Sequence, residues 1–248
     1  MNSIDIDALN QYVNEHVGEF HRRKITTLEG LSLRKLLRKN PYLLKANNII
    51  TAEQLITALL EARISSSEEE LFGEFLEKLA VFVAQQTCNG HKSAAQGIDL
   101  EFFNKGIHYV VSIKSGTNWG NSSQQKKLEQ DFKDATARLK QINRSANIQP
   151  VLGICYGKTK TSHLRGYMKV VGQNFWYLIS ENKSLYKDII EPIGYRAQEH
   201  NERFMIERGS LINRLVLALL QEFCDPSGAI NWPKLVEFNS GNFDLDTL

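Results

Sequence analysis

Asp99, Ser112 and Lys114 are the residues whose types and spacing in this sequence suit chemistry. They fall in two stretches, Gly97-Ile98-Asp99-Leu100-Glu101-Phe102 and Val110-Val111-Ser112-Ile113-Lys114-Ser115-Gly116, with Asn104-Lys105-Gly106 between them. Ile98 to Phe103 alternates apolar and polar residues, and Ile107 to Ile113 is β-branched and aromatic. The intervening Gly supplies positive φ, so the pair reads as a hairpin around a three-residue turn. Pairing Phe103 with Ile107 places Asp99 abreast of Val111 and Ser112, while period-two alternation puts Ser112 and Lys114 on one face. A carboxylate and an ammonium group therefore converge. The first can ligate a hard cation and the second can orient water and steady negative charge, which together suit metal-assisted hydrolysis. The plainer alternative is that Asp99 pairs locally and Lys114 is a strand-edge lysine.

An acid on one strand, then a lysine two residues past a polar group on the next, is the motif of the PD-(D/E)xK nucleases, which this chain resembles. It is more similar still to type II restriction endonucleases that carry Ser in place of the second acid. In those, Lys-Ser/Ala-Gly and a polar loop holding an aromatic follow, as in Ser112-Ile113-Lys114-Ser115-Gly116-Thr117-Asn118-Trp119. The resemblance covers about residues 70 to 240. It implies an α/β, restriction-endonuclease-like fold with a mixed central sheet flanked by helices. It also implies Mg²⁺-dependent hydrolysis of double-stranded DNA at specific sites, leaving 5′-phosphates, by a homodimer whose partner methyltransferase acts on the same site.

The resemblance assigns roles residue by residue. Asp99 and a glutamate from the helix before the hairpin would hold Mg²⁺, with the backbone carbonyl of Ile113 as a further ligand. Lys114 would orient or deprotonate the attacking water. Ser112 supplies no charge, which leaves the site one carboxylate short and makes the helix glutamate matter. In related nucleases that glutamate often lies four residues after a Gly, and Gly73 and Glu77 fit. A DNA-binding module that has lost activity, with Ser112 as the symptom, and a structure-selective repair nuclease are the rival functions.

The elements that must position these groups are readable in outline. Ser65-Ser66-Ser67-Glu68 suggests a helix start, and Phe72, Phe75, Leu76, Leu79, Phe82 and Val83 make a core stripe through about Gln86. Glu74 and Glu77 both flank that stripe, so periodicity does not choose between them, and Glu101 is a third alternative. His91 and His108 lie near the hairpin outside any metal-binding spacing. After the hairpin, Ser122 or Ser123 caps a helix carrying Leu128, Phe132, Ala135, Leu139 and Ile142, and Val151 to Tyr156 reads as a buried strand. Hairpin, helix and strand make a crossover onto one sheet.

Composition sets the outer bounds. At 248 residues and 42% apolar, the chain can bury a substantial core. The expected division is a helical annex over 1–64, serving as DNA clamp or dimer surface, a nuclease core over 65–240 and a tail over 241–248. No apolar run is long enough to span a membrane and no export signal is visible, so a cytoplasmic protein is expected. Cys88, Cys155 and Cys224 are too scattered for a disulfide framework or a zinc site. The net charge of +2 hides segregation: residues 135–180 contain no Asp or Glu but seven Lys and Arg. Lys158, Lys160 and Arg165 from that stretch are expected on the phosphate backbone of DNA. Asn118, Trp119, Asn121, Ser122 and Gln124, with Lys126 and Lys127, follow the catalytic strand and could contact the grooves. The same composition also suits a plain turn and helix cap.

Overall fold

The computed structural model describes residues 1–164 and 166–242. Their elements are α1 (Ile6–Glu29), α2 (Leu33–Leu36), α3 (Pro41–Ala46), α4 (Ala52–Cys88), β1 (His91–Lys92), β2 (Leu100–Asn104), β3 (Ile107–Lys114) and α5 (Ser122–Ile142). Then come β4 (Ile148–Ile154), β5 (Ser162–Leu164), β6 (Tyr167–Val171), α6 (Gln173–Ser180), α7 (Leu185–Asp188), α8 (Ile190–Ile193), α9 (Ala197–Phe223) and α10 (Trp232–Phe238). The strands form one mixed sheet in the order β1-β2-β3-β4-β6-β5. This is the mixed sheet flanked by helices expected of a restriction-endonuclease-like fold.

The chain makes two compact units, one from residues 1–19 and 72–195, the other from 20–71 and 196–248. The first holds the sheet. Because side chains alternate across a strand, Val111 and Ile113 of β3 face a core with Leu9 and Val13 of α1 and Leu76, Leu79 and Val83 of α4. Val110 points the other way, into a core with Leu128, Phe132 and Ala135 of α5. The α5 crossover delivers β4 parallel to β3, Ser112 opposite Leu152 and Lys114 opposite Ile154. The second unit is helical. Leu55, Ile56, Leu59 and Leu60 of α4 pack there with Leu211, Leu215 and Leu219 of α9.

Two local expectations are corrected. Ser65, Ser66 and Ser67 do not start a helix; they lie inside α4, which runs unbroken for 37 residues. Each serine costs a helix interior only about half a kcal/mol relative to Ala. No Gly or Pro interrupts the neighbourhood, and apolar stripes on either side outweigh that cost. The hairpin turn has two residues, not three: Lys105 and Gly106 have φ of 50° and 77°, and Asn104 pairs with Ile107. Two successive positive φ values make the tight turn whose twist matches the strands. The register consequently moves by one, Phe103 pairing with His108.

Candidate active site

The shifted register brings Asp99 to Ser112 and Ile113. Asp99 N–H donates to the Val111 carbonyl at 2.9 Å, which closes the ladder just before β2 begins. Its carboxylate Oδ2 then accepts from the Ile113 backbone N–H at 2.6 Å and from Ser112 Oγ at 3.3 Å. In a strand, a residue's N–H and C=O project to the same edge. The Ile113 carbonyl therefore points to the edge where its N–H meets Asp99, where a ligand shared with Asp99 would lie. Ser112 is 1% exposed and spends its hydroxyl proton on Asp99. It holds the carboxylate in place and adds no charge.

Glu77 reaches the same place from α4. A methyl group added at Gly73 would lie 3.6 Å from Ser115 Oγ, so the helix backbone runs close beside the residue after Lys114. One helical turn on, Glu77 is half-buried and feels the charges of Asp99, Lys92, Lys114 and Glu74. Burial raises its carboxyl above the usual range and the Asp99 charge raises it further, against the opposing lysines. Asp99 is raised as well, chiefly by burial, although the Ile113 N–H, Lys114, Ser112 and Lys92 oppose this. A bound cation would offset the cost of ionising either acid.

Lys92 was not legible in the sequence. It belongs to a two-residue strand with no periodic signal, yet its Nζ lies 3.9 Å from Glu77 Oε1. Glu101, the alternative ligand, is elsewhere. Its side chain, 7% exposed, accepts from Ser93 Oγ and lies 3.5 Å from Arg138. His108 Nε2 is 3.0 Å from Glu101 without hydrogen-bond alignment. That cluster ties β2, β3 and α5 to the residue that follows β1 and leaves Glu101 occupied. His91 is exposed on β1 opposite Glu101.

Among the described residues, no group of three or more His, Cys, Asp or Glu side chains is placed to hold a metal ion. The available donors are two carboxylates, Asp99 and Glu77, and the Ile113 carbonyl. That set suits Mg²⁺, a hard cation commonly held by one or two carboxylates with waters completing its shell.

A groove of about 430 Å³ opens on the α5 side, lined by Ser112, Lys114, Trp119, Gln124, Lys127 and Asp131. The Trp119 ring centroid is 5.9 Å from Lys114 Nζ. Asn118 is exposed beside it. Asn121, not Ser122 or Ser123, is the N-cap of α5, and Ser122 is the first helical residue. Asn121 Oδ1 accepts from Ser123 and Gln124 N–H, and Gln124 Oε1 accepts from Asn121 N–H, which makes a capping box. Both side chains thus have structural work that any role on DNA must share. Lys126 and Lys127 are exposed in the following turn, Lys127 3.7 Å from Asp131. Asp131 also lines the groove, packed on the backbone of Gly97 where a side chain would collide with it.

Lys158 and Lys160 are exposed on the loop after β4, Lys158 at a cavity of about 670 Å³ lined also by Phe72, Tyr156 and Trp176. Arg165 lies outside the described residues. Cys88 and Cys155 are buried, and burial pushes the Cys155 thiol far above its usual value, so neither is a nucleophile. Among the described residues, no helix is long and apolar enough to cross a membrane.

No curated protein matches the chain. A family model described as type II restriction endonuclease EcoO109I matches residues 7–201. That span begins well before residue 70 and includes Glu77, Asp99, Ser112 and Lys114. The chain belongs to the family of the type II restriction endonuclease EcoO109I, and its substrate is double-stranded DNA.

Proposed function

We propose that the chain is a Mg²⁺-dependent, sequence-specific endonuclease of the PD-(D/E)xK type in which Ser112 stands at the second acid position. The observation that carries this reading is the hold of the Ile113 N–H and the Ser112 hydroxyl on the Asp99 carboxylate beside Lys114, with Glu77 one helical turn beyond the close approach of Gly73 to Ser115. Asp99, Glu77 and the Ile113 carbonyl would hold the cation. A Mg²⁺ bound there would supply Lewis-acid polarisation of the scissile phosphate and make the attacking water easier to deprotonate. Lys114 orients the attacking water and offsets the charge that accumulates on the non-bridging phosphate oxygens. Ser112 fixes the rotamer of Asp99 through its hydroxyl, and the Ile113 N–H does the same more strongly. Attack on phosphorus with departure of the 3′-oxygen leaves a 5′-phosphate.

One such constellation cuts one strand, so a double-strand break in a twofold-related site is most simply made by a homodimer. The expected setting is the cytoplasm, alongside a methyltransferase that modifies the same sequence. Lys158 and Lys160 would contact the backbone, and Trp119 and Asn118 the DNA beside the reacting phosphate. Digestion of plasmid DNA with Mg²⁺ tests the proposal: a reproducible set of discrete fragments bearing 5′-phosphates is expected. A smear, nicking without linear product, or no cleavage would contradict it.

A further inference from the structure

The helical unit carries a concavity of about 480 Å³ bounded by the end of α1, the α2 region and α4. Four cations line it, Lys35, Arg38, Lys39 and Arg63, and none of its lining residues is an acid. All four are exposed, and among the described residues no ion pair engages any of them. Neighbouring cations of the same unit behave differently. Lys24 is paired with Glu68, Arg34 with Glu222 and Arg208 with Glu61. Four positive charges around one hollow repel each other unless an anion joins them, and that repulsion is weakened only in part by salt.

The other polar groups at the hollow have their protons committed. Thr26 Oγ1 donates to the Arg22 carbonyl at 3.2 Å and Thr27 Oγ1 to the Arg23 carbonyl at 3.0 Å. Lys35 Nζ is 3.3 Å from the Gly30 carbonyl, which fixes one cation at the rim. What remains to recognise a ligand is charge. Flexible lysines and two guanidinium groups suit phosphate oxygens and give no means of distinguishing bases. The volume exceeds that of a single phosphate and suits a stretch of sugar-phosphate chain.

We infer that this hollow is a phosphate-backbone site for duplex DNA, separate from the catalytic groups and indifferent to sequence. The inference rests on the proposed endonuclease reading for its choice of ligand, since duplex DNA is the polyanion this family acts on. Its consequence is that the helical unit itself holds DNA, which gives the enzyme a non-specific grip from which it can search.

The test uses full-length protein carrying Lys114→Ala, so that DNA is bound and not cut, and a duplex of arbitrary sequence. Binding is measured over a range of salt, with and without the quartet Lys35→Gln, Arg38→Gln, Lys39→Gln and Arg63→Gln. Each phosphate contact contributes about 0.9 to the slope of log affinity against log salt, so the quartet should flatten it by up to about 3.6 units. The charge-conserving quartet, with Lys and Arg exchanged at the same positions, should keep the starting slope, which separates lost charge from lost folding. An unchanged slope in the glutamine quartet overturns the inference, as does a quartet that changes the protein's oligomeric mass and leaves DNA binding intact. Failure of the wild-type protein to cut any plasmid would instead defeat the endonuclease reading.

Discussion

The carboxylate of Asp99 accepts a 2.6 Å hydrogen bond from the backbone N–H of Ile113, the residue between Ser112 and Lys114. This bond makes the last rung of the hairpin out of a side chain. In the proposed reading it holds the acid for a cation that the Ile113 carbonyl and Glu77 would share. Ser112 adds a second, weaker hold at 3.3 Å and supplies geometry in place of charge.

Glu77 should matter far more than Glu74. Glu77 feels the charges of both Asp99 and Lys114, and Glu74 enters that set as a neighbour of Glu77. Glu77→Gln is expected to lower the single-turnover cleavage rate by at least about a hundredfold, with Glu74→Gln within a few-fold of wild type. The reverse ranking would move the ligand to Glu74.

Asn121→Ala should cost stability before it costs specificity. The side chain satisfies two otherwise orphaned N–H groups at the start of α5, a contribution of about 1 kcal/mol. For a chain of this size that corresponds to a fall in Tm of about 2–4 °C. Calorimetry on the DNA-free protein decides it, and an unchanged Tm with altered cleavage specificity would mean that the residue reads DNA instead.

His21 should make the protein acid-sensitive. Burial, then the charges of His200 and Lys24, lower its pKa from 6.5 to about 4, against a smaller pull from Glu68. Its ring stacks on His200 with centroids 4.4 Å apart. The unfolded chain binds this proton more readily, so the stabilisation is present above about pH 6.5 and is lost as pH falls towards 4. Thermal unfolding of wild type and His21→Leu should differ in pH dependence across that window, with the variant flatter. Parallel curves would show that His21 does not titrate on unfolding.

The legible parts of this chain were the local ones. The alternation of β2 and β3, the stripe of Phe75, Leu76, Leu79 and Val83, and the α5 crossover each carry their signal within a few residues. The unit boundaries do not, because residues 1–19 join 72–195 through contacts between segments far apart in the chain, the packing of Leu9 and Val13 and the bond from Asn2 N–H to the Thr87 carbonyl among them. Ser65 to Ser67 resembled a cap because N-cap preference is local, whereas the continuity of α4 depends on cores far along the chain. The places of Lys92 and Asp131 were invisible for the same reason: Lys92 lies in a two-residue strand and Asp131 in a run of surface charges, and each is placed at the site only by what folds against it.

Lys114 is the sharpest test of the proposed chemistry, in which it acts on the transition state and does little to hold DNA. Wild type and Lys114→Ala should be compared on one cleavable duplex with Mg²⁺ and saturating protein, with duplex affinity measured in parallel without cleavage. The expected result is a rate lowered by at least about a hundredfold with affinity within a few-fold. A Lys114→Ala protein that still cleaves at more than about a tenth of the wild-type rate, or that loses affinity in proportion to rate, would rule out a catalytic Lys114.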